Sequence, residues 1–186
     1  MPVQIIKPSG VLAIGDFGPN GSDPFDTNQE AADNLADLDT DTLVVNQSTN
    51  QTIKLALADL NSDNISTISQ LQVKVGVYAG GKGGAGFSVL LETADGGDIA
   101  AAEGFLTTAT AEATELTGTA ITGLNSTEAL INGMTVSIVS DGSRQCFFTS
   151  LAVFCTYSQS TISVSDTGKI IIDNGRIELT SGKVIL

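Results

Sequence analysis

Histidine and tryptophan are absent from this chain of 186 residues, and cysteine occurs only twice. Without histidine the chain cannot form a Ser-His-Asp or Cys-His catalytic arrangement, a histidine-ligated zinc site or the usual general base. Two cysteines are too few for a cysteine-rich zinc site. Paired carboxylates could still hydrolyse glycosides, but no pair has a distinctive spacing, and such enzymes usually hold the sugar on aromatic platforms. We therefore predict that the protein is not an enzyme and has no catalytic or cofactor-binding residues.

Basic residues are scarce, with 8 Lys and Arg against 21 Asp and Glu, a formal net charge of −13. The average surface repels a polyanion and no Lys/Arg cluster offsets this, so we expect no binding to nucleic acid. No apolar run approaches the length of a membrane span, and the first residues lack the basic and apolar regions of a signal peptide. We expect no membrane association and synthesis in the cytoplasm.

Proline occurs only near the start of the chain, and the stretch from 16 to 41 has eight acidic residues and no basic one. This composition predicts an extended acidic arm over residues 1–41, ordered only by lying on a neighbouring protein or on its own domain. Within it, "TNQEAADNLADL" places Ala31, Leu35 and Leu38 at helical spacing and predicts a short helix. The four prolines are Pro2, Pro8, Pro19 and Pro24.

Residues 42–158 read as a series of short strands in which apolar and polar side chains alternate, as in "NQTIKLALA" and "GMTVSIVSDGS". Strands at this spacing, without long helices between them, predict an all-β fold, an antiparallel β-sandwich of the jelly-roll type. The dipeptide Asp141-Gly142 predicts a hairpin turn. Cys146 and Cys155 lie too far apart in one strand for a disulfide and are predicted to be buried thiols. The predicted core consists of Val73, Val75, Val89, Leu91, Val136, Ile138, Phe147, Leu151, Val153 and Tyr157.

The stretch "YAGGKGGAGFSV" contains Gly81, Gly83 and Gly86 at the G-x-G-x-x-G spacing of dinucleotide-binding loops. That motif needs a helix after it, because the phosphate sits on the amides of the helix N-terminus. Here a strand follows, since apolar residues from Phe87 alternate with polar ones. Lys82 is followed by glycine, which also excludes a Walker A loop. We predict a glycine-rich hairpin loop that binds no nucleotide.

Asp59, Asn61 and Asp63 occupy alternate positions in "DLNSDN", as at the start of a Ca²⁺ loop. The glycine and the final glutamate of such a loop are replaced by Asn64 and Gln70. An Asx-rich turn between strands explains the same residues, so we predict no metal site and leave cation binding open.

The last residues carry a repeat of seven, in which Gly168-Lys169-Ile170, Gly175-Arg176-Ile177 and Gly182-Lys183-Val184 recur. Each unit predicts a short strand and a turn, with a hairpin at Asn174-Gly175, so residues 159–186 form a predicted β-ribbon. So thin a ribbon is marginal alone. It either packs on its own sandwich as a meander or associates with other copies of itself.

The stretch "ISTISQLQVKVGVYAGGKGGAGFSVLLET", followed by a Thr-rich strand, the helical turn of "NSTEALING" and a strand that closes at Tyr157, resembles a β-sandwich domain of tailed-bacteriophage structural proteins. The predicted turn has Asn125 or Ser126 as its cap and Gly133 beyond its end. The likeness covers residues 33–158, although the Trp-Thr pair frequent in that family is missing. The resemblance implies no catalytic residues in this chain.

This resemblance implies a component of the virion: a fibre or appendage subunit of the neck or tail, or a head decoration protein. The arm and the ribbon would attach it to capsid, neck or tail proteins, because extended segments wrap neighbours and strand edges add to their sheets. A homotrimer is expected because such proteins commonly form one. The alternative hypothesis is a carbohydrate-binding module for a glycan of the host surface, against which the low aromatic content argues.

Overall fold

A computed structural model of the chain describes residues 1–15, 17–19, 28–36, 44–46, 51–61, 65–79, 86–93, 103–106, 114–126, 131–140, 145–159, 162–164, 170–172 and 175–177. The elements in chain order are β1 (Val3–Ile6), β2 (Pro8–Ala13), β3 (Phe17–Pro19), α1 (Asn28–Ala36), β4 (Val44–Asn46), β5 (Thr52–Leu57), β6 (Ile65–Ala79), β7 (Gly86–Glu92), β8 (Glu103–Leu106), β9 (Thr114–Thr117), β10 (Ile121–Ser126), β11 (Thr135–Ser140), β12 (Cys146–Gln159), β13 (Ile162–Val164), β14 (Ile170–Ile172) and β15 (Gly175–Ile177).

Two antiparallel sheets form the main body, as the sequence predicts. Sheet A has the order β10-β6-β12-β4-β3. Two further strands belong to it: β9 pairs with β6, and β1 pairs with β12. Sheet B has the order β2-β5-β11-β7-β8. Their inner faces share one apolar core, so the chain is an all-β sandwich of the jelly-roll type.

Period-two alternation fills this core from both sheets, and most of the predicted core residues are buried. Ile53, Leu55 and Leu57 point inward from β5, and Met134, Val136 and Ile138 do so from the segment that leads through β11. Cys146 and Cys155 are both buried and neither forms a disulfide, as predicted. Burial raises the pKa of the Cys155 thiol to about 11.

The predicted position of Phe147 in the core is wrong, because β12 contains a β-bulge. The register against β6 shifts between Phe148 and Ser150, so Thr149 is an extra residue in β12. The bulge reverses the alternation: Leu151 and Val153 point inward after it, whereas Phe148 points inward before it. Phe147 therefore lies on the outer face of sheet A and is only half-buried.

The predicted hairpins at the glycine-rich stretch and at Asp141-Gly142 are wrong, since each connection crosses from one sheet to the other. The glycine-rich stretch joins β6 of sheet A to β7 of sheet B, and the stretch with Asp141-Gly142 joins β11 of sheet B to β12 of sheet A. Strands do flank the glycines on both sides, as predicted. Residues 80–85 and 141–144 themselves lie outside the described residues.

The N-terminal segment, predicted as an extended arm, contributes strands to its own sandwich. In it β1 pairs with β12, β2 pairs with β5, and β3 pairs with β4. Ile6 and Phe17 are buried in the common core. The predicted helix is confirmed as α1, whose Ala31, Ala32 and Leu35 are buried while it contacts β2 and β12. Leu38 lies outside the described residues.

A third sheet lies toward the C-terminus, where β13, β14 and β15 form an antiparallel ribbon. Ile172 of β14 pairs with Gly175, so Gly175, a turn residue of the predicted hairpin, is instead the first residue of β15. Residues 178–186, with the third repeat, lie outside the described residues. Association of this ribbon with other copies stays a prediction.

The predicted helical turn near residue 130 is described only at its end. Asn125 and Ser126, the predicted caps, are instead the last residues of β10. Gly133 has a φ of +81°, the left-handed conformation that commonly follows a helical turn. Among the described residues no helix is long and apolar enough to span a bilayer.

Candidate functional site

The outer face of sheet A carries a ladder of paired side chains along its two longest strands. Val73, Val75 and Val77 of β6 are buried, so the residues between them face outward. The register between β6 and β12 sets these residues opposite the outward residues of β12. From one end of the sheet to the other the pairs are Tyr78–Phe147, Gly76–Ser150, Lys74–Ala152, Gln72–Phe154 and Gln70–Thr156.

Tyr78 and Phe147 form an aromatic platform at one end of this ladder. Their ring centroids are 4.7 Å apart and their planes differ by 4°, so the rings are stacked. Both side chains are half-buried, and burial raises the pKa of the Tyr78 hydroxyl above its usual value of 10.0. Each ring therefore supports the other while part of the pair stays open to solvent.

Gly76 leaves room next to this platform for two hydroxyl-bearing side chains. It has no side chain, and a Cβ placed there would collide with the hydroxyl oxygens of Ser150 and Thr149. The extra residue of the bulge thus brings two hydroxyl-bearing side chains over the glycine. A residue larger than glycine would displace them.

Lys74 lies at the centre of a second group, farther along the ladder. Its Nζ atom is 4.8 Å from the centroid of the Phe154 ring and 2.8 Å from Oε1 of Glu115 on β9. The Glu115 side chain is 60% exposed, so its carboxylate can accept further hydrogen bonds. Gln72 donates from Nε2 to the carbonyl oxygen of Gly118 at 2.9 Å, which orients its amide.

The two groups lie along one strip of the outer face of sheet A. Tyr78 and Gln72 are six residues apart on one strand, which corresponds to roughly 20 Å. Along that strip come the stacked rings, the hydroxyl groups next to Gly76, a cation over an aromatic ring and an exposed carboxylate. Aromatic faces alternate with hydrogen-bonding groups, an arrangement that suits an extended ligand with both apolar and polar surfaces.

The outer face of sheet B has a different character. Its most distinctive group is an ion pair of 2.6 Å between Lys54 and Glu92, with Thr135 Oγ1 3.4 Å from the same carboxylate. The hydrogen bond from Lys54, with its positive charge, lowers the pKa of Glu92. No aromatic side chain faces outward there among the residues whose side chains are described. Sheet A therefore provides the candidate site.

Two of the three residues that match the start of a Ca²⁺ loop make hydrogen bonds that join this stretch to other segments. Asp59 accepts at Oδ1 from the amide of Gly133 at 3.0 Å, and the Asn61 amide donates to Oε1 of Gln4 at 3.2 Å. Asp63 lies outside the described residues. Within the part of the chain that the structure describes, no three acidic or cysteine side chains cluster as metal ligands.

The sequence predicted no residue of the outer ladder as functional. Its alternation does place Lys74, Gly76 and Tyr78 on the parity opposite the buried valines, and that was the available signal. The partners of these residues depend on the register and on the bulge in β12. Of the glycine motif, Gly81 and Gly83 lie outside the described residues, while Gly86 is the first residue of β7.

No model of a protein family matches the chain, and no curated protein is similar to it in sequence. Solved structures with a related arrangement of strands do exist. One is the C-terminal CBM6 of LamC, a marine laminarinase from Zobellia galactanivorans, at 11% identity and a TM-score of 0.48, with 83% of this chain and 99% of that one covered. Another is the CBM36-1 domain of a multidomain xylanase from the hindgut metagenome of Trinervitermes trinervoides, at 8% identity and a TM-score of 0.43, with 84% and 98% covered.

A third is the carbohydrate-binding module CBM36 in complex with calcium and xylotriose, at 16% identity and a TM-score of 0.37, with 62% of this chain and 79% of that one covered. Likenesses this distant concern the arrangement of strands and carry no information about ligands. An origin in a virion stays a prediction.

Proposed function

We propose that the protein is a non-catalytic glycan-binding module whose binding surface is the outer face of sheet A. The observation that carries the proposal is the strip between the stacked pair Tyr78–Phe147 and the group around Lys74. The similar solved structures are named as carbohydrate-binding modules, but the proposal rests on the residues of this face.

The rings suit a sugar because a pyranose presents apolar C–H groups on its faces and hydroxyl groups around its rim. Tyr78 and Phe147 offer rigid, partly exposed aromatic surface on which such a face can pack. Because the pair is already stacked in the free protein, binding needs little ordering of these side chains. The low overall aromatic content is no obstacle, since three of the nine aromatic rings, those of Tyr78, Phe147 and Phe154, lie on this one face.

The polar groups suit the rim of a sugar. The exposed carboxylate of Glu115 accepts hydrogen bonds from hydroxyl groups, and the hydroxyl of Ser150 both donates and accepts. A strip roughly 20 Å long suits an extended chain such as a polymer, whereas a small molecule would contact only part of it.

Charge restricts the type of glycan. With a net charge of −13 the protein repels acidic polysaccharides at long range. On the strip itself, the charge of Lys74 is balanced by that of Glu115. We therefore propose a neutral polysaccharide as the ligand.

The test is affinity electrophoresis through gels that contain neutral polysaccharides, followed by titration calorimetry with the oligosaccharide of the one that retards the protein. We expect Tyr78→Ala to weaken binding at least tenfold, because the platform is lost. Tyr78→Phe is the matched control and should bind like the parent, since it keeps the ring. Equal binding by Tyr78→Ala and the parent, or no retardation by any neutral glycan, would contradict the proposal.

A structural role in a virion is the second candidate function, and the third sheet favours it. In the described residues β13, β14 and β15 pair only with one another, so this ribbon is available for assembly. In this second candidate function, the protein attaches to capsid, neck or tail proteins and forms a homotrimer held together by residues 166–186. The two functions are compatible, because a virion component can also bind a surface glycan of its host.

A further inference from the structure

The first strand, β1, has one edge that no other described strand covers. It pairs with β12 on one side, where the Tyr157 amide donates to the carbonyl oxygen of Pro2 at 3.2 Å. In an antiparallel pair the residues that bond to the partner alternate with residues whose amide and carbonyl groups point away. Since Pro2 bonds to β12, so do Gln4 and Ile6. Val3 and Ile5 therefore direct their backbone groups toward the open edge.

The same two residues also expose apolar side chains. Val3 is 55% exposed and Ile5 is 45% exposed, and both face outward next to Thr156 and Phe154. Strand edges in monomeric proteins are usually protected by charged side chains. The strand Val3–Ile6 contains no charged residue.

The chain around β1 limits how another strand can pair with it. Pro2 has no amide hydrogen, and the carbonyl oxygen of Lys7 already accepts a hydrogen bond of 2.9 Å from the Ala58 amide. Within β1, only the backbone amide and carbonyl groups of Val3 and Ile5 are then left to pair with another strand. Two such residues, separated by Gln4, match an identical strand that runs in the opposite direction.

We propose that β1 pairs antiparallel with β1 of a second copy of this chain, about a two-fold axis at Gln4. Val3 of each copy then lies opposite Ile5 of the other, and their amides and carbonyls form four hydrogen bonds. The side chains of these residues become neighbours and cover one another. Although each copy has a net charge of −13, β1 contributes no like charges at the contact.

The pairing joins sheet A of the two copies into one sheet, with both outer faces on the same side. The two candidate strips would therefore face one glycan surface together, which raises the apparent affinity through a higher effective concentration. Because one short strand from each copy forms the contact, the dimer is weak and its population depends on concentration.

The test is sedimentation equilibrium of the full chain over a range of concentrations. We expect a monomer–dimer equilibrium for the parent. Ile5→Lys should raise the dissociation constant at least tenfold, because it introduces two charges at the contact and removes apolar surface. Leu12→Lys is the matched control: Leu12 is 58% exposed on β2, which belongs to sheet B and not to the sheet of β1, and its replacement should leave the dissociation constant unchanged.

The double variant Val3→Glu with Ile5→Lys tests the register. If position 3 of each copy faces position 5 of the other, each new carboxylate meets a new ammonium group and dimerisation returns toward the parental level. Thermal unfolding checks that every variant is folded, and if Ile5→Lys fails to fold, Val3→Lys at the more exposed position replaces it.

A protein that stays monomeric at all concentrations would overturn the proposal. So would a trimer that persists in Ile5→Lys, since that result assigns association to the C-terminal ribbon. Failure of the folded double variant to recover dimerisation would overturn the antiparallel register. Glycan binding is measured separately at concentrations where the chain is monomeric, so either proposal can fail without the other.

Discussion

Phe147 and Phe148 are neighbours in β12 that the bulge places on opposite faces of sheet A, so truncating each to alanine tests the fold directly. Phe148 has no exposed surface. Its ring meets that of Phe87 edge to face at 5.1 Å between centroids and lies 6.0 Å from that of Phe17. Because Phe87 belongs to sheet B, Phe148 connects the two sheets across the core.

The structure predicts clearly different losses for the two variants. Phe148→Ala removes a fully buried ring and leaves a cavity, which costs about 3–5 kcal/mol of the free energy of unfolding. Phe147→Ala removes a half-buried ring that stacks on Tyr78. Such a ring pair contributes about 0.5–1.5 kcal/mol beyond its burial, so we expect a loss of about 1–2 kcal/mol. The difference corresponds to roughly 5–10 °C in melting temperature for a chain of this size.

Urea unfolding followed by far-UV circular dichroism is the appropriate assay, since the chain has no tryptophan. The comparison requires equal m-values, which show that each variant unfolds from a similarly compact state. If Phe147→Ala lost as much stability as Phe148→Ala, or more, the bulge would be in the wrong place. Phe147 would then lie in the core, as simple alternation predicts.

Two further predictions follow from buried groups near the same strands. Burial raises the Cys155 pKa from the usual thiol value of 9.0 to about 11, so its contribution to stability is complete below about pH 9 and is lost as the pH rises through 11. A thiol reagent at pH 8 should therefore label Cys155 only after unfolding, and rapid labelling of the folded chain would contradict its burial. Gly76→Ala forces its new methyl group against Ser150, and we expect it to destabilise the fold by about 1–3 kcal/mol in thermal unfolding. An unchanged melting temperature would show that the hydroxyl groups can move aside.

The class of the fold could be predicted from the sequence because burial on one face of each strand forces alternation. Val73, Val75 and Leu91 point into the core as alternation requires. The assignment of strands to sheets could not be predicted in the same way. A glycine-rich connection has the same local composition whether it closes a hairpin within one sheet or crosses between two. Only the pairing of distant segments, such as β6 with β12, decides between these arrangements.

The N-terminal segment shows a second limit of composition. Its prolines and acidic residues predict a segment that cannot fold alone. They do not show that Ile6 and Phe17 complete a core formed by residues far along the chain. Such a segment is ordered by the sheets on which it lies, and the described parts of this one lie on both.

The bulge at Thr149 links the core to the candidate site, and the positions of Phe148 and Phe147 could not be inferred without it. In an unbroken strand Phe147 would share the inward parity of Leu151, and Phe148 would face outward. With one extra residue Phe148 fills the core, while Phe147 comes to lie opposite Tyr78 on the outer face. The same extra residue brings hydroxyl groups over Gly76. A single local irregularity therefore supplies both a buried contact between the sheets and the exposed platform on which the proposed glycan packs.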